Sequence, residues 1–476
     1  MNYDIVIGLE VHAQLSTNTK AWCQCEISTN AYENTKVCEV CSAQPGTLPV
    51  YNKQAVEYAI KLALATNSEV NKISVFDRKN YFYPDLPKGY QITQFDKPVG
   101  EKGFLEILDD EGNVKRIGLQ RIQMEEDTGK SSHQGEKSLI NLNRAGTPLL
   151  EIVSDPDMCT PKEASAYLKK LHSILVYLGI CHGNMQDGNF RCDVNVSLKP
   201  KGSSKLGTRT EVKNVNSFRH VEMAIEYEVQ RHKELLDSGK SILQQTLLFE
   251  IETRKTKVLR TKSDADDYRY FPEPDLLPLV ITQEHIEKVR STLPELPDAK
   301  IKRFMDSYGI PLYDASVLTS EKALANYFEE SLKGYEGEAK KMSNWIMVEL
   351  LRYLNEAGTS IDRSPVKPSS MASLLNAIQS GKISGKIAKD VFLKMFDTGK
   401  AAEAIIKEMG LEQISDEKAL IEIAERIVTA NAGQVEKYKG GNERVFGFFV
   451  GQVMKETNGQ ANPVMTAEIL KKILGQ

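Results

Sequence analysis

Asp4-Ile5-Val6-Ile7-Gly8-Leu9-Glu10-Val11-His12-Ala13-Gln14-Leu15 changes character from one residue to the next. Ile5, Ile7, Leu9, Val11, Ala13 and Leu15 fall on one side; Asp4, Val6, Gly8, Glu10, His12 and Gln14 fall on the other, mostly polar one. A period of two marks a strand with one buried and one wet face. Shorter alternations recur at residues 120–127, 191–198 and 208–215, with turn-rich pieces between them. The first ~290 residues therefore read as a largely antiparallel sheet. Two helices accompany it. Thr160-Pro161-Lys162-Glu163 is a capping box with Pro at the first helical position, and that helix stops near Gly179. The other runs from about Ser217 to Gly239, with Val221, Ala224, Ile225 and Val229 as its buried stripe.

Leu293-Pro294-Glu295-Leu296-Pro297 punctuates the chain, and the pattern beyond it is helical throughout. A second break falls at Ser364-Pro365-Val366-Lys367-Pro368, and short amphipathic helices follow from Ala401. The fold class expected is α+β: residues 1–293 form a sheet domain with helices, 294–406 an all-α domain, and 407–476 a small α-helical tail suited to binding or docking. The 476 residues, with 61 Lys and Arg against 65 Asp and Glu, carry a net charge of −4. That balance excludes bulk electrostatic coating of nucleic acid but leaves room for a local basic patch. No apolar run approaches the ~18–20 residues of a membrane span, and the N-terminus lacks the features of a signal peptide. The expected location is the cytoplasm.

Four of the seven cysteines, Cys23, Cys25, Cys38 and Cys41, form C-x-C-x12-C-x2-C. Two close pairs joined by a loop can supply four thiolates to a structural, tetrahedral Zn2+; the plain alternative is a set of reduced, unliganded thiols. On the strands, Glu10 and His12 share the polar face, roughly 6.5–7 Å apart. Glu125 shares a face with Arg121 and Gln123, Asp193 with Arg191 and Asn195, and Glu211 with Arg209 and Lys213. Glu151 interrupts an apolar run, where a carboxylate is costly unless paired or metal-bound. Gathered on one face these acids would require basic residues or divalent cations, and oxygen ligands with one imidazole suit Mg2+ or Mn2+. Scattered on a solvated face they would do nothing. Neither a P-loop nor a Rossmann fingerprint occurs, so any use of ATP must rest on carboxylate-bound metal and cations. The segments Arg78 to Gln91 and Asp267 to Asp275 combine cations, phenols and prolines. They suit phosphates and stacked bases, or else simply aromatics under a rigid turn.

Gly8-Leu9-Glu10-Val11-His12, Arg78 to Gln91, Met124-Glu125-Glu126-Asp127-Thr128-Gly129-Lys130, Asn143 to Val153, Phe190 to Val196, Gly207 to Asn214 and Asp267 to Asp275 occur in that order. Together they resemble the B-subunit family of glutamyl/aspartyl-tRNA amidotransferases. The resemblance implies a cradle-shaped catalytic domain, a helical domain and a tRNA-binding tail, in a heterotrimer with a glutaminase A subunit and a small C subunit. It implies a glutamine-dependent carbon–nitrogen ligase: ATP and Mg2+ phosphorylate the side-chain carboxylate of mischarged Glu-tRNA(Gln) or Asp-tRNA(Asn), and ammonia displaces the phosphate. On that basis His12, Glu125 and Glu151 are assigned to one Mg2+. Glu10, Asp193 and Glu211 serve a second cation or the nucleotide's metal. Lys79, Arg191 and Lys213 hold phosphate oxygens, and Tyr81, Lys88 and Asn195 contact the nucleotide. No glutaminase nucleophile is legible, in keeping with a division of labour between chains. The rivals are a zinc-stabilised RNA scaffold and a two-metal phosphodiesterase.

Overall fold

The computed structural model describes residues 3–28, 30–261, 268–410, 417–442, 444–457, 461 and 463–475. Asp267, which opens the second aromatic segment, lies outside the described residues. The quoted N-terminal stretch is strand β1 (Tyr3–Gln14). Eight more strands join it: β2 (Glu69–Val70), β3 (Gly100–Leu108), β4 (Val114–Glu126), β5 (Pro148–Ser154), β6 (Phe190–Pro200), β7 (Thr210–Lys213), β8 (Gln245–Glu250) and β9 (Lys255–Thr261). Their order in the sheet is β9-β8-β7-β6-β1-β5-β4-β3-β2, which makes β1 the central strand.

All pairings in this sheet are antiparallel except β7 with β8. A parallel pair needs a crossover, and a helix between the two strands in sequence, α3 (Phe218–Asp237), supplies it. Ile7, Leu9, Val11 and Ala13 of β1 are fully or almost fully buried, in one apolar core with residues of α1 (Lys53–Ala65), α2 (Pro161–Leu178) and α3. The sheet is thus covered by helices on one face, and its polar side chains project from the other.

The helix ends follow local chemistry. Thr160 Oγ1 accepts from the Glu163 N–H at 3.1 Å, and Gly179 ends α2 at φ 68°, where an L side chain would be strained. The Glu163 carboxylate reaches the Cys159 N–H at 2.6 Å, one residue before the cap, and also pairs with Lys115 at 2.8 Å. The expected stripe of α3 is buried, together with Glu228 and His232, which the apolar spacing did not signal.

The chain divides into two compact units, Met1–Pro297 and Asp298–Gln476, so the division falls at the end of the proline-punctuated stretch. The second unit is helical, with one apolar core drawn from Phe304 to Ile406 and another from Leu420 to Leu474. Among the described residues no helix is long and apolar enough to cross a membrane.

Glu228 ties α3 to β7 and to β9. It takes a two-pronged bond from Arg231 at 2.9 and 2.7 Å, and accepts from Thr210 of β7 at 2.8 Å and Thr256 of β9 at 2.6 Å. Burial alone would raise its pKa, but the bonds from His232, Arg231 and Thr256 prevail and hold it down to about 2. A depressed carboxyl stabilises the fold above its unfolded value of 4.5 and loses that contribution as pH falls toward 2. Glu228→Gln is expected to cost roughly 3 kcal/mol in urea unfolding at pH 7. The gap from wild type should narrow below about pH 4.5; a pH-independent gap would show that the charge is not the source.

Candidate active site

The register of the sheet decides which acids meet. Across β1 and β5, His12 lies opposite Glu151; across β5 and β4, Leu149 lies opposite Glu125, which puts Glu125 diagonal to Glu151. The other flank repeats the arrangement. Glu10 lies opposite Asp193 on β6, and Asn195 opposite Glu211 on β7, so Glu211 is diagonal to Asp193. Two three-residue groups result, His12/Glu125/Glu151 and Glu10/Asp193/Glu211, each with its ligand atoms within 4.8 Å of one another.

The first group is largely desolvated. His12 Nε2 stands 3.5 Å from Glu151 Oε2 and 4.0 Å from Glu125 Oε2, and both carboxylates are buried. Two acids this close do not ionise independently. Burial and the neighbouring Glu151 push Glu125 up to about 7, against the pull of Lys79. Burial acts on Glu151 in the same direction, but the His12 hydrogen bond and the charges of Lys79 and Arg121 hold it down to about 2. His12 is raised: desolvation opposes its charge, and Glu151, Glu125 and Asp193 outweigh it. In the second group, burial and Glu151 raise Glu10, while Lys213 pairs with Asp193 and, at 3.0 Å, with Glu211. Glu211 also accepts from Thr246 at 2.9 Å.

Among the described residues the buried Glu125 Oε2 has no hydrogen-bond partner, and a buried carboxylate oxygen in that state is costly without a cation. Acid oxygens with one imidazole match a hard divalent ion, so the residues present fit Mg2+ at the first group and a second cation at the other.

Two adjoining clefts open over this face and share His12, Lys79, Asp193 and Lys213. Lys79 lies 3.5 Å from Glu125 and within 6.0 Å of the centres of the Tyr81 and Tyr268 rings. Tyr81 and Arg191 line one cleft, and Asn195 the other. Arg191 is also anchored to Asp127 at 3.1 Å. Lys88 departs from the expected set. It lines neither cleft and pairs instead with Glu126, whose neighbour Glu125 points to the opposite side of the strand. Period-two alternation separates those two acids, so the cation bound to one is not presented to the other. Arg78 is likewise held, in a two-pronged pair with Glu273 at 2.8 Å, which joins the two aromatic segments. Arg260 and Tyr270 complete the second cleft. Sequence spacing gave no signal for Arg260, because β9 carries no acid to mark its face.

The four cysteines converge as their spacing suggested. Cys41 Sγ lies 4.0 Å from Cys25 Sγ and 3.9 Å from Cys38 Sγ, and all four sulfurs lie within 4.8 Å of one another. A hydrogen bond from Cys23, the Cys38 N–H and Lys20 lower Cys41 to about 4 against the effect of burial. Lys20 is fully buried; its Nζ lies 3.4 Å from Cys41 Sγ and 3.2 Å from the Leu142 carbonyl. Four thiolates around Zn2+ leave a net negative charge, and a buried ammonium beside one sulfur offsets part of it. The set is compatible with zinc, and its closed shell has no place for substrate.

Residues 5–287 match the family model described as the GatB/GatE catalytic domain, and residues 326–474 match the GatB domain. The chain is therefore that of an amidotransferase subunit carrying a catalytic domain. The B subunits of aspartyl/glutamyl-tRNA(Asn/Gln) amidotransferases are similar over the full length: the one from Thermodesulfovibrio yellowstonii is 51% identical over 475 residues, with 100% of both chains covered. The counterparts in Geotalea uraniireducens and Geobacter sulfurreducens are 54% identical over 479 residues, again with 100% of both chains covered. The chain belongs to the family of aspartyl/glutamyl-tRNA amidotransferase B subunits, and the enzyme class is a glutamine-dependent ligase.

Cys38→Ser is expected to lower zinc stoichiometry in metal analysis and to lower the thermal midpoint. Unchanged stoichiometry would rule out the four-cysteine assignment.

Proposed function

We propose that the face bearing the two acid groups phosphorylates the side-chain carboxylate of mischarged Glu-tRNA(Gln) or Asp-tRNA(Asn) at the expense of ATP, and then hosts its amidation. A carboxylate resists ammonia because its oxygen leaves poorly; phosphorylation converts that oxygen into phosphate, a competent leaving group. The reading rests above all on the paired three-ligand groups set side by side on one sheet face. Bound Mg2+ would supply charge neutralisation for two anions brought together and an electrophilic pull on the transferred phosphoryl group. His12, Glu125 and Glu151 would hold one ion, and Glu10, Asp193 and Glu211 a second.

The chain's own residues do the rest. Lys79, between Glu125 and the tyrosine rings, is placed to meet a substrate carboxylate or a phosphoryl oxygen. Lys213 and Arg191 extend the cationic edge toward phosphates, and Asn195 offers a neutral polar contact. In this reading Tyr81 contacts the nucleotide, whereas Lys88 has a structural role beside Glu126. An acyl phosphate hydrolyses readily, so ammonia has to arrive without bulk water. That requirement favours delivery from a glutaminase A subunit, with a small C subunit completing a cytoplasmic heterotrimer. Residues 1–293 would be catalytic and 294–406 a helical connector, with 407–476 gripping tRNA; the zinc knuckle is structural. An acid-lined face suits this chemistry better than it suits an RNA scaffold, because unneutralised acids repel phosphates.

In the heterotrimer, Glu125→Ala is expected to lower Mg2+-dependent, Glu-tRNA(Gln)-stimulated phosphate release from ATP about 100-fold or more, with tRNA affinity retained. Undiminished release would move the active site elsewhere.

A further inference from the structure

Tyr81-Phe82-Tyr83 leaves the catalytic cleft in an orientation that the fold does not explain by packing. Tyr81 contacts Tyr268 edge-on, with centroids 6.1 Å apart. Phe82 and Tyr83 are 82% and 65% exposed, although large aromatic side chains gain most from burial. A cavity of about 590 Å³ runs along all three rings and is also lined by Lys79, Arg260 and Tyr268. A second recess, lined by Pro84, Pro87 and Lys88, continues past the far side of Phe82 and Tyr83. The surface therefore forms a track. It begins at Lys79, a residue shared with both catalytic clefts, and passes over three successive rings.

The track is rigid. Gly89 sits at φ 71°, and a Cβ placed there would come within 3.1 Å of the Phe82 ring. The glycine thus both allows the turn and makes room for the ring, while the Tyr81 N–H is fixed to the Gly89 carbonyl at 3.2 Å. Prolines 84 and 87 stiffen the intervening turn.

We infer that Phe82 and Tyr83, next in the chain after the nucleotide-contacting Tyr81, form a stacking shelf for the unpaired 3′-terminal nucleotides of the aminoacyl-tRNA, with the terminal adenosine in the cavity beside Lys79. The inference rests on the proposed function, which places the aminoacyl carboxylate at Lys79. The amino acid is esterified to the terminal ribose, so its base must lie within one aminoacyl-ribose length of that point, and the cavity is an aromatic recess adjoining it. Successive unpaired bases stack on successive rings without sequence-specific readout, whereas ATP presents a single base. ATP's phosphates have their own cations in the cleft bearing Arg121, Arg209 and Lys213, and the Phe95 and Tyr270 rings of that cleft offer its one base a separate aromatic surface.

The test uses the complete heterotrimer and tRNA(Gln) carrying 2-aminopurine as its 3′-terminal base, whose fluorescence falls on stacking. Wild type is expected to quench it severalfold on binding. Phe82→Leu/Tyr83→Leu keeps apolar bulk but removes the ring faces, at positions exposed enough not to threaten folding. This variant should lose most of the quench, raise KM for Glu-tRNA(Gln) about tenfold, a change of about 1.4 kcal/mol, and leave KM for ATP unchanged. Phe82→Trp should restore the quench. Full quenching in the Leu variant overturns the inference. So does a raised KM for ATP with the quench intact, which gives the shelf to the nucleotide. Absence of quenching in wild type also overturns it and leaves the rings to a protein partner. Glu125→Ala enzyme should quench normally, so a failure of the phosphorylation reading and a failure of the shelf would be seen separately.

Discussion

Five carboxylates and one imidazole crowd a single face of one sheet, and their mutual repulsion is the constraint on which the rest of this molecule depends. Glu125 is pushed up to about 7 by burial and Glu151, while Glu151 itself is held near 2 only by borrowing His12, Lys79 and Arg121. Such an arrangement is expensive unless positive charge arrives to match it. Part of that charge is covalently built in, through Lys79, Lys213 and Arg121. The Glu125 oxygen without a partner among the described residues marks where the built-in charge stops. A site left short of positive charge in this way is suited to binding cations together with a substrate whose own charge changes during reaction.

The placement is a property of register. On each flank of β1 the same geometry recurs: one ligand on β1, one directly opposite on its neighbour, one diagonal on the strand beyond. A slip of one residue in either pairing would turn a whole ligand set toward the helices. The buried side of β1 prevents this, because Ile7, Leu9, Val11 and Ala13 would have to leave the core. Packing on one face thus enforces chemistry on the other.

This division also explains what could be read from the chain. The faces of β1, β4, β6 and β7 were legible because alternation is local, as were both helix caps and the cysteine cluster. The identity of each strand's neighbours was not legible, since pairing partners are set by tertiary contacts. The parallel β7–β8 pair and the Arg260 position therefore escaped. The pairing of Lys88 was not legible for a related reason: its motif is rich in charged and aromatic residues, but nothing local shows that it meets Glu126, on the reverse side of the strand from Glu125. Lys20 gave no signal at all, because nothing local distinguishes a buried lysine from a surface one. Its sulfur contact is made only once the cysteine loop has folded over it.

The most direct measurement is anomalous diffraction from crystals of the heterotrimer with Mn2+ in place of Mg2+ and a non-hydrolysable ATP analogue. One manganese peak is expected between His12, Glu125 and Glu151, and a second at Glu10, Asp193 and Glu211, with the analogue's terminal phosphate between them and Lys79. A nucleotide and its metal bound away from this face, with both acid groups lacking manganese, would contradict the assignment of phosphoryl transfer to these residues.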